Sequence, residues 1–195
     1  MTASVIDLPA PARLPLVILY AETRGFTRTS AMLEPGVVLQ QAGVFFDLAR
    51  TVVTRNGGTV RSLLNDTLMA SFAGEGRARQ ALQTAQELQR DFDAIEDAWA
   101  RDFGIRAAVA MGLHAGDAVV CGGAQPMIIG DSVSIAERLL HRARAGEFVL
   151  SGPLFDALGA EAAVLEAEAL PALEIARRES IPLYGVLRDA RLDFT

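Results

Sequence analysis

Apolar residues along this 195-residue chain fall into short runs and broad helical stripes. Leu16-Val17-Ile18-Leu19 is a β-forming run that closes in Tyr20-Ala21-Glu22-Thr23-Arg24-Gly25-Phe26-Thr27. An apolar run of that length, bounded by a carboxylate and a glycine, reads as a buried strand entering a turn. After Glu34-Pro35-Gly36, the residues Val38, Ala42, Phe45, Ala49 and Val52 recur at helical spacing, and Leu39, Phe46 and Val53 widen the stripe. Pro suits a first helical turn, and a stripe so broad should lie on a sheet. Asn56-Gly57-Gly58 tolerates the left-handed geometry that ends a helix. Strands follow over 59–64 and 68–72, with Asn65-Asp66-Thr67 as the hairpin turn.

The pattern then predicts one long amphipathic helix over 77–101, burying Ala81, Leu82, Ala85, Leu88, Phe92, Ile95 and the core anchor Trp99. A strand over 105–114, a turn at Ala115-Gly116-Asp117 and a strand over 118–121 come next. Gly122-Gly123 turns again before 127–129. A helix over 132–144 is closed by Gly146, and 148–151 is a strand followed by a short helix over 153–158. Residues 164–169 fit strand or helix, and 181–187 is a final strand. Residues 1–14, with Pro9 and Pro11, read as an extended leader, leaving one domain over 15–195. Hairpins mixed with helices, without strict alternation, give an α+β class with a largely antiparallel sheet.

Composition narrows the partners. A net charge of −6 argues against a general nucleic-acid binder. Every one of the 18 Lys-plus-Arg positions is Arg, so no amine side chain is available for chemistry. Cys121 is the sole cysteine, which excludes an internal disulfide framework and suits a reducing compartment. No charged start precedes a long apolar run, and no apolar stretch reaches the roughly 18 residues of a membrane span. The expectation is a cytoplasmic protein that does not engage a membrane.

The candidate chemistry begins at Glu22. A carboxylate at a strand end, beside the backbone N–H groups that follow Gly25, would hold a metal-bound phosphate; a solvated Glu capping a core strand gives the same pattern. His114 and His141 show no ligand-pair spacing, and Cys121 fits a small core residue.

Taken in order, these stretches resemble the class III nucleotidyl cyclase (adenylate/guanylate cyclase) catalytic domain. Tyr20 to Thr27 resembles the family's Phe-x-Asp-Ile-x-Gly-Phe-Thr, and Gly57-Gly58-Thr59-Val60 its Gly-Gly-Thr-Val. Asn65-Asp66-Thr67-Leu68-Met69-Ala70-Ser71-Phe72 is similar to Gly-Asp-x-x-Met-Ala-x-Phe. Residues 112–119 resemble Gly-Ile-His-x-Gly-x-x-Val, and 128–139 resemble Val-Ile-Gly-Asp-x-Val-Asn-x-Ala-x-Arg-Leu. Ile181-Pro182-Leu183-Tyr184 looks like the closing strand. The resemblance covers about 15–188.

It implies a ferredoxin-like cyclase-homology domain, mostly antiparallel sheet flanked by helices, pairing head to tail as a homodimer with ATP or GTP in the shared cleft. It also implies a reaction in which the ribose 3′-hydroxyl attacks the α-phosphate and expels pyrophosphate, with two metal ions assisting. Asp66 matches one metal carboxylate. Glu22 stands where the family has Asp, lengthening the arm by roughly 1.5 Å. Since Mg²⁺ demands near-octahedral geometry at about 2.0–2.1 Å, a one-metal or weak site for Mg²⁺ or Mn²⁺ is expected.

Thr23, Gly25, Phe26 and Thr27 match the phosphate loop, and Arg138 the transition-state Arg; a helix-surface Arg is the plain alternative. The base-selecting Lys falls on Ser62, its Asp or Thr partner on Met127, and the ribose-orienting Asn on Ser134. Leaving a buried polar group of the ligand without its hydrogen bond costs about 1–3 kcal/mol, and removing one transition-state donor slows turnover about 10²–10³-fold. The expectation is therefore a degenerate site on a dimerising or regulatory module. The alternatives are an active cyclase using Glu22 and Asp66, and a subunit that completes one site beside an intact cyclase.

Overall fold

The computed structural model describes residues 11–122, 127–177 and 179–188. Residues 1–10 of the expected leader over 1–14, and Gly123, lie outside them. Strand β1, Ala12–Arg24, starts within the expected leader, and its first residues already pair with β4. Gly25 turns the chain at φ +94°, where a Cβ would stand 2.6 Å from the Arg106 carbonyl oxygen, so glycine is required. Helices α1 (Phe26–Met32) and α2 (Pro35–Arg55) follow, then the hairpin β2 (Thr59–Leu64) and β3 (Thr67–Phe72).

The long helix expected over 77–101 is two helices, α3 (Arg77–Asp91) and α4 (Asp93–Phe103), which share Phe92 as cap. All seven residues of its expected stripe are buried. In α2, by contrast, Leu39 is 75% exposed and does not widen the stripe.

The turn expected at Ala115-Gly116-Asp117 is not one. Those residues run through β4, Ala108–Cys121, in ladder with β1 from Ala12↔Val120 to Arg24↔Ala108. The strand also begins later than expected, at Ala108. Then come β5 (Met127–Ile129), α5 (Asp131–Arg142), β6 (Glu147–Ser151), α6 (Gly152–Leu158) and a 3₁₀ turn over Gly159–Val164. The stretch that fitted either element divides: Val164 ends the 3₁₀ turn, and β7 (Glu168–Leu173) pairs with β8 (Ile181–Leu187).

The eight-stranded sheet has the order β2-β3-β1-β4-β6-β8-β7, with β5 beside β4. Among the described residues, only the β4–β6 pairing is parallel. This is a mixed α+β fold whose sheet is flanked by helices on both faces. Alternation along β1 divides its side chains between two cores. Val17, Leu19 and Ala21 meet α2, α3, α4 and α6, while Leu16 and Ile18 turn toward α5.

Gly112 sets the distance of α5 from the sheet. A Cβ there would stand 2.1 Å from the Leu140 nitrogen and 2.4 Å from the Ala136 carbonyl oxygen, so the helix backbone rests directly on β4.

Candidate active site

Glu22 sits near the end of β1, opposite Thr67 on β3 and Ala110 on β4. Asp66 occupies the adjoining hairpin tip, where Asn65 takes the left-handed φ of 55° that the two-residue turn needs. The Thr23 N–H donates to the Asp66 carbonyl oxygen at 3.3 Å, tying the tip to β1. The two carboxylates therefore lie close enough for the charge of one to act on the other. Burial, followed by the charge of Glu22, pushes the Asp66 carboxyl above its ordinary range, while its own backbone N–H and Arg24 pull it back.

The carboxylate of Glu22 is already engaged. Arg24, two residues on and so on the same face of the strand, places Nη1 2.5 Å from Glu22 Oε1. Its Nη2 donates to the carbonyl oxygens of Leu140 at 2.9 Å and Ala143 at 3.1 Å. Those carbonyls lie at the C-terminal end of α5, where a cation is favoured, and the Leu140 oxygen also accepts from the Ala143 N–H at 3.1 Å. The motifs do not single out Arg24; the signal available was a cation at i+2 from a carboxylate on one strand.

The phosphate-loop residues do not form a single loop. Thr23 belongs to β1, with its side chain buried and its N–H committed to Asp66, and Gly25 is the turn. Phe26 and Thr27 open α1, and Phe26 packs on the main core. Ser134 and Arg138 are both exposed one helical turn apart on α5, so they share a face. Arg138 donates to the Glu174 carbonyl oxygen at 3.0 Å. Ser62 is exposed on β2, directly after a register shift, and pairs with Met69. The register puts Ser62, Met69 and Tyr20 on the face where α5 lies. Tyr20 adds a hydroxyl there, its pKa raised by burial and then by Glu137.

Met127 is separated from this group. On β5 it pairs with Cys121, while its neighbour Ile128 turns inward to the α5-side core. Met127 and Ile129 therefore face the other way, 48% and 63% exposed, beside the partly exposed Val119.

The metal pair that the resemblance implies does not fit these donors. Glu22 is paired with Arg24, leaving Asp66, and no cluster of three or more His, Cys, Asp or Glu that could hold a metal occurs among the described residues. Mg²⁺ and Ca²⁺ need about six oxygen ligands or more, several from water or substrate when the protein gives few. His114 is buried, with Nδ1 unpartnered among the described residues and its pKa lowered by burial to about 4, so it is neutral at pH 7.

Comparison with known proteins identifies the fold. No family model matches the chain. The adenylate cyclase of Anabaena cylindrica is 25% identical over 143 residues, covering 69% of this chain and 28% of that protein. The chain thus spans under a third of this relative's length. The adenylyl cyclase CyaB from P. aeruginosa superposes with a TM-score of 0.83 at 21% identity, covering 94% of this chain and 99% of that one. The guanylyl cyclase Cya2 superposes at 0.80 with 20% identity, covering 96% and 100%. The fold is that of the class III adenylyl and guanylyl cyclase domains, and the family resemblance of the sequence is supported by it. Among the described residues no helix is long and apolar enough to cross a membrane.

Proposed function

We propose that this domain is a cytoplasmic pseudoenzyme of cyclic-nucleotide signalling, with little or no turnover, which acts by dimerising. The observation that carries this reading is the shortened polar reach at every purine- and ribose-reading position. Ser62 is too short to reach a base from the sheet, Met127 offers only a weak sulfur acceptor and is turned to the other face of the sheet from Ser62, and Ser134 keeps a hydroxyl without the reach of an amide. A deficit of about 1–3 kcal/mol per missing hydrogen bond at three positions, even without full additivity, exceeds the margin of a modest catalyst. The phosphate side is closer to intact: Gly25 keeps the turn, Asp66 stands beside Glu22, and Arg138 is presented on the face of α5 that carries Ser134.

The exposed apolar face of Val119, Met127 and Ile129 on the β4–β5 hairpin supports a second copy as its cover, in a head-to-tail homodimer. Sedimentation equilibrium tests this together with calorimetric titration of ATP and GTP, each with Mg²⁺ and with Mn²⁺. A dimer that binds nucleotide weakly, through at most one loosely held metal at Asp66, fits the proposal. A monomer at tens of micromolar contradicts it.

The second reading is an active cyclase, favoured by the adjacency of Glu22 and Asp66. In that case Asp66→Ala abolishes cyclic-nucleotide product. A heterodimer with an intact cyclase, to which this chain offers Arg138, is tested by mixing the two proteins and measuring product.

A further inference from the structure

We propose that Arg24 is a built-in cation that takes the place of a metal ion at Glu22 and fastens that place to the end of α5. Two geometric facts carry the inference. One guanidinium nitrogen lies 2.5 Å from the Glu22 carboxylate, and the other donates to two carbonyl oxygens of α5, at 2.9 and 3.1 Å. An arginine held from both sides does not swing away as a surface side chain does. Its planar fork meets the carboxylate and the helix-end carbonyls at once, which a spherical ion could not do from the same place.

Both side chains are shielded, with 26% and 19% of their surfaces exposed. Water therefore competes poorly for the pair. A divalent ion ligated by Glu22 would have to displace the guanidinium and then sit within a few ångströms of it, against like-charge repulsion. The longer arm of Glu22 suits this role, since it can bend along its own strand toward position 24. Asp66 is left as the carboxylate open to a cation.

The inference deepens the degenerate-site reading and rests on it. Its test uses the full chain without nucleotide, titrated with Mn²⁺ while the free ion is counted by electron paramagnetic resonance. Wild type should bind Mn²⁺ weakly, and Glu22→Gln should change that affinity by less than twofold because Glu22 is not a ligand. Arg24→Gln should release Glu22 and tighten binding at least tenfold, and adding Glu22→Gln or Asp66→Asn should reverse the gain. Folding of each variant is checked by its thermal midpoint.

A tenfold loss of Mn²⁺ affinity on Glu22→Gln in the wild-type background would overturn the proposal. So would a folded Arg24→Gln protein that binds no tighter than wild type. If Arg24→Gln does not fold, the Glu22→Gln arm decides alone. Product analysis on the same protein preparations, supplied separately with ATP or GTP and Mn²⁺, separates the two claims: cyclic nucleotide from wild type would sink the inactive-domain reading, whereas the nucleotide-free Mn²⁺ series tests Arg24.

Discussion

Replacing Gly112 with alanine should displace α5 from the sheet. The added Cβ would lie 2.1 Å from the Leu140 nitrogen, 2.4 Å from the Ala136 carbonyl oxygen and 2.7 Å from the Leu139 carbonyl carbon. All three are backbone atoms, so no side-chain rotation relieves the contact. Restoring ordinary van der Waals separation of about 3.5 Å at the tightest contact requires the helix to move by about 1.4 Å. That movement opens the packing of Ala136, Leu139 and Leu140, each no more than 1% exposed. It also pulls the carbonyls of Leu140 and Ala143 away from Arg24.

Overpacking costs about 1–3 kcal/mol, and a backbone clash on a buried helix belongs at the upper end. For a domain near 200 residues, about 3 kcal/mol lowers the thermal midpoint by about 6–12 °C. Urea unfolding followed by circular dichroism measures both the midpoint and its slope. A loss below about 0.5 kcal/mol would refute the seating of α5 on bare backbone, and with it the geometry that presents Ser134 and Arg138.

Further outcomes follow from other sites. Gly43 lies inside α2 with nothing within 4 Å of a built Cβ, so Gly43→Ala should stabilise the fold by about 0.5–1 kcal/mol in the same urea assay. His114 has a folded pKa of about 4 against 6.5 for the free side chain, so the unfolded chain binds its proton first. Stability should be flat above pH 6.5 and fall as pH drops toward 4, by up to about 3 kcal/mol; His114→Gln should remove this component from the pH profile. Trp99 is fully buried and its Nε1 has no partner among the described residues. Trp99→Phe should therefore cost much less than Trp99→Ala, for which thermal and urea melts should report about 3–5 kcal/mol.

Much of the fold was legible because its signals are local. The β2–β3 hairpin, from Thr59 to Phe72, the start of α2 at Pro35, and the closing strand are each written in a short consecutive stretch. The reading failed where distant residues decide. Gly116 looks like a turn residue, but it is a strand glycine: a Cβ there would stand 2.5 Å from Ser132 Oγ. Its neighbour Asp117 is held across the ladder by Arg13 at 3.0 Å, from a segment that composition assigned to a leader. The break at Phe92 was hidden because that residue keeps helical angles, φ −68° and ψ −18°, and the apolar stripe runs through it.

At the site, the juxtaposition of Glu22 and Asp66 could be inferred from motif order. The engagement of Glu22 by Arg24 could not, since it depends on carbonyls 116 and 119 positions away. The separation of Met127 from Ser62 likewise follows from strand alternation on β5, a three-residue strand with too little pattern of its own to show its facing.

The proposed domain keeps the Gly25 turn and Asp66 beside Glu22, but not the polar reach of its base- and ribose-reading positions, and so should not turn over. The most direct measurement is chromatographic quantitation of cAMP and cGMP from the purified chain supplied with ATP or GTP and Mn²⁺, beside its Asp66→Ala variant. The account predicts no product that distinguishes the two proteins; steady cyclic-nucleotide formation by wild type, lost in Asp66→Ala, would contradict it.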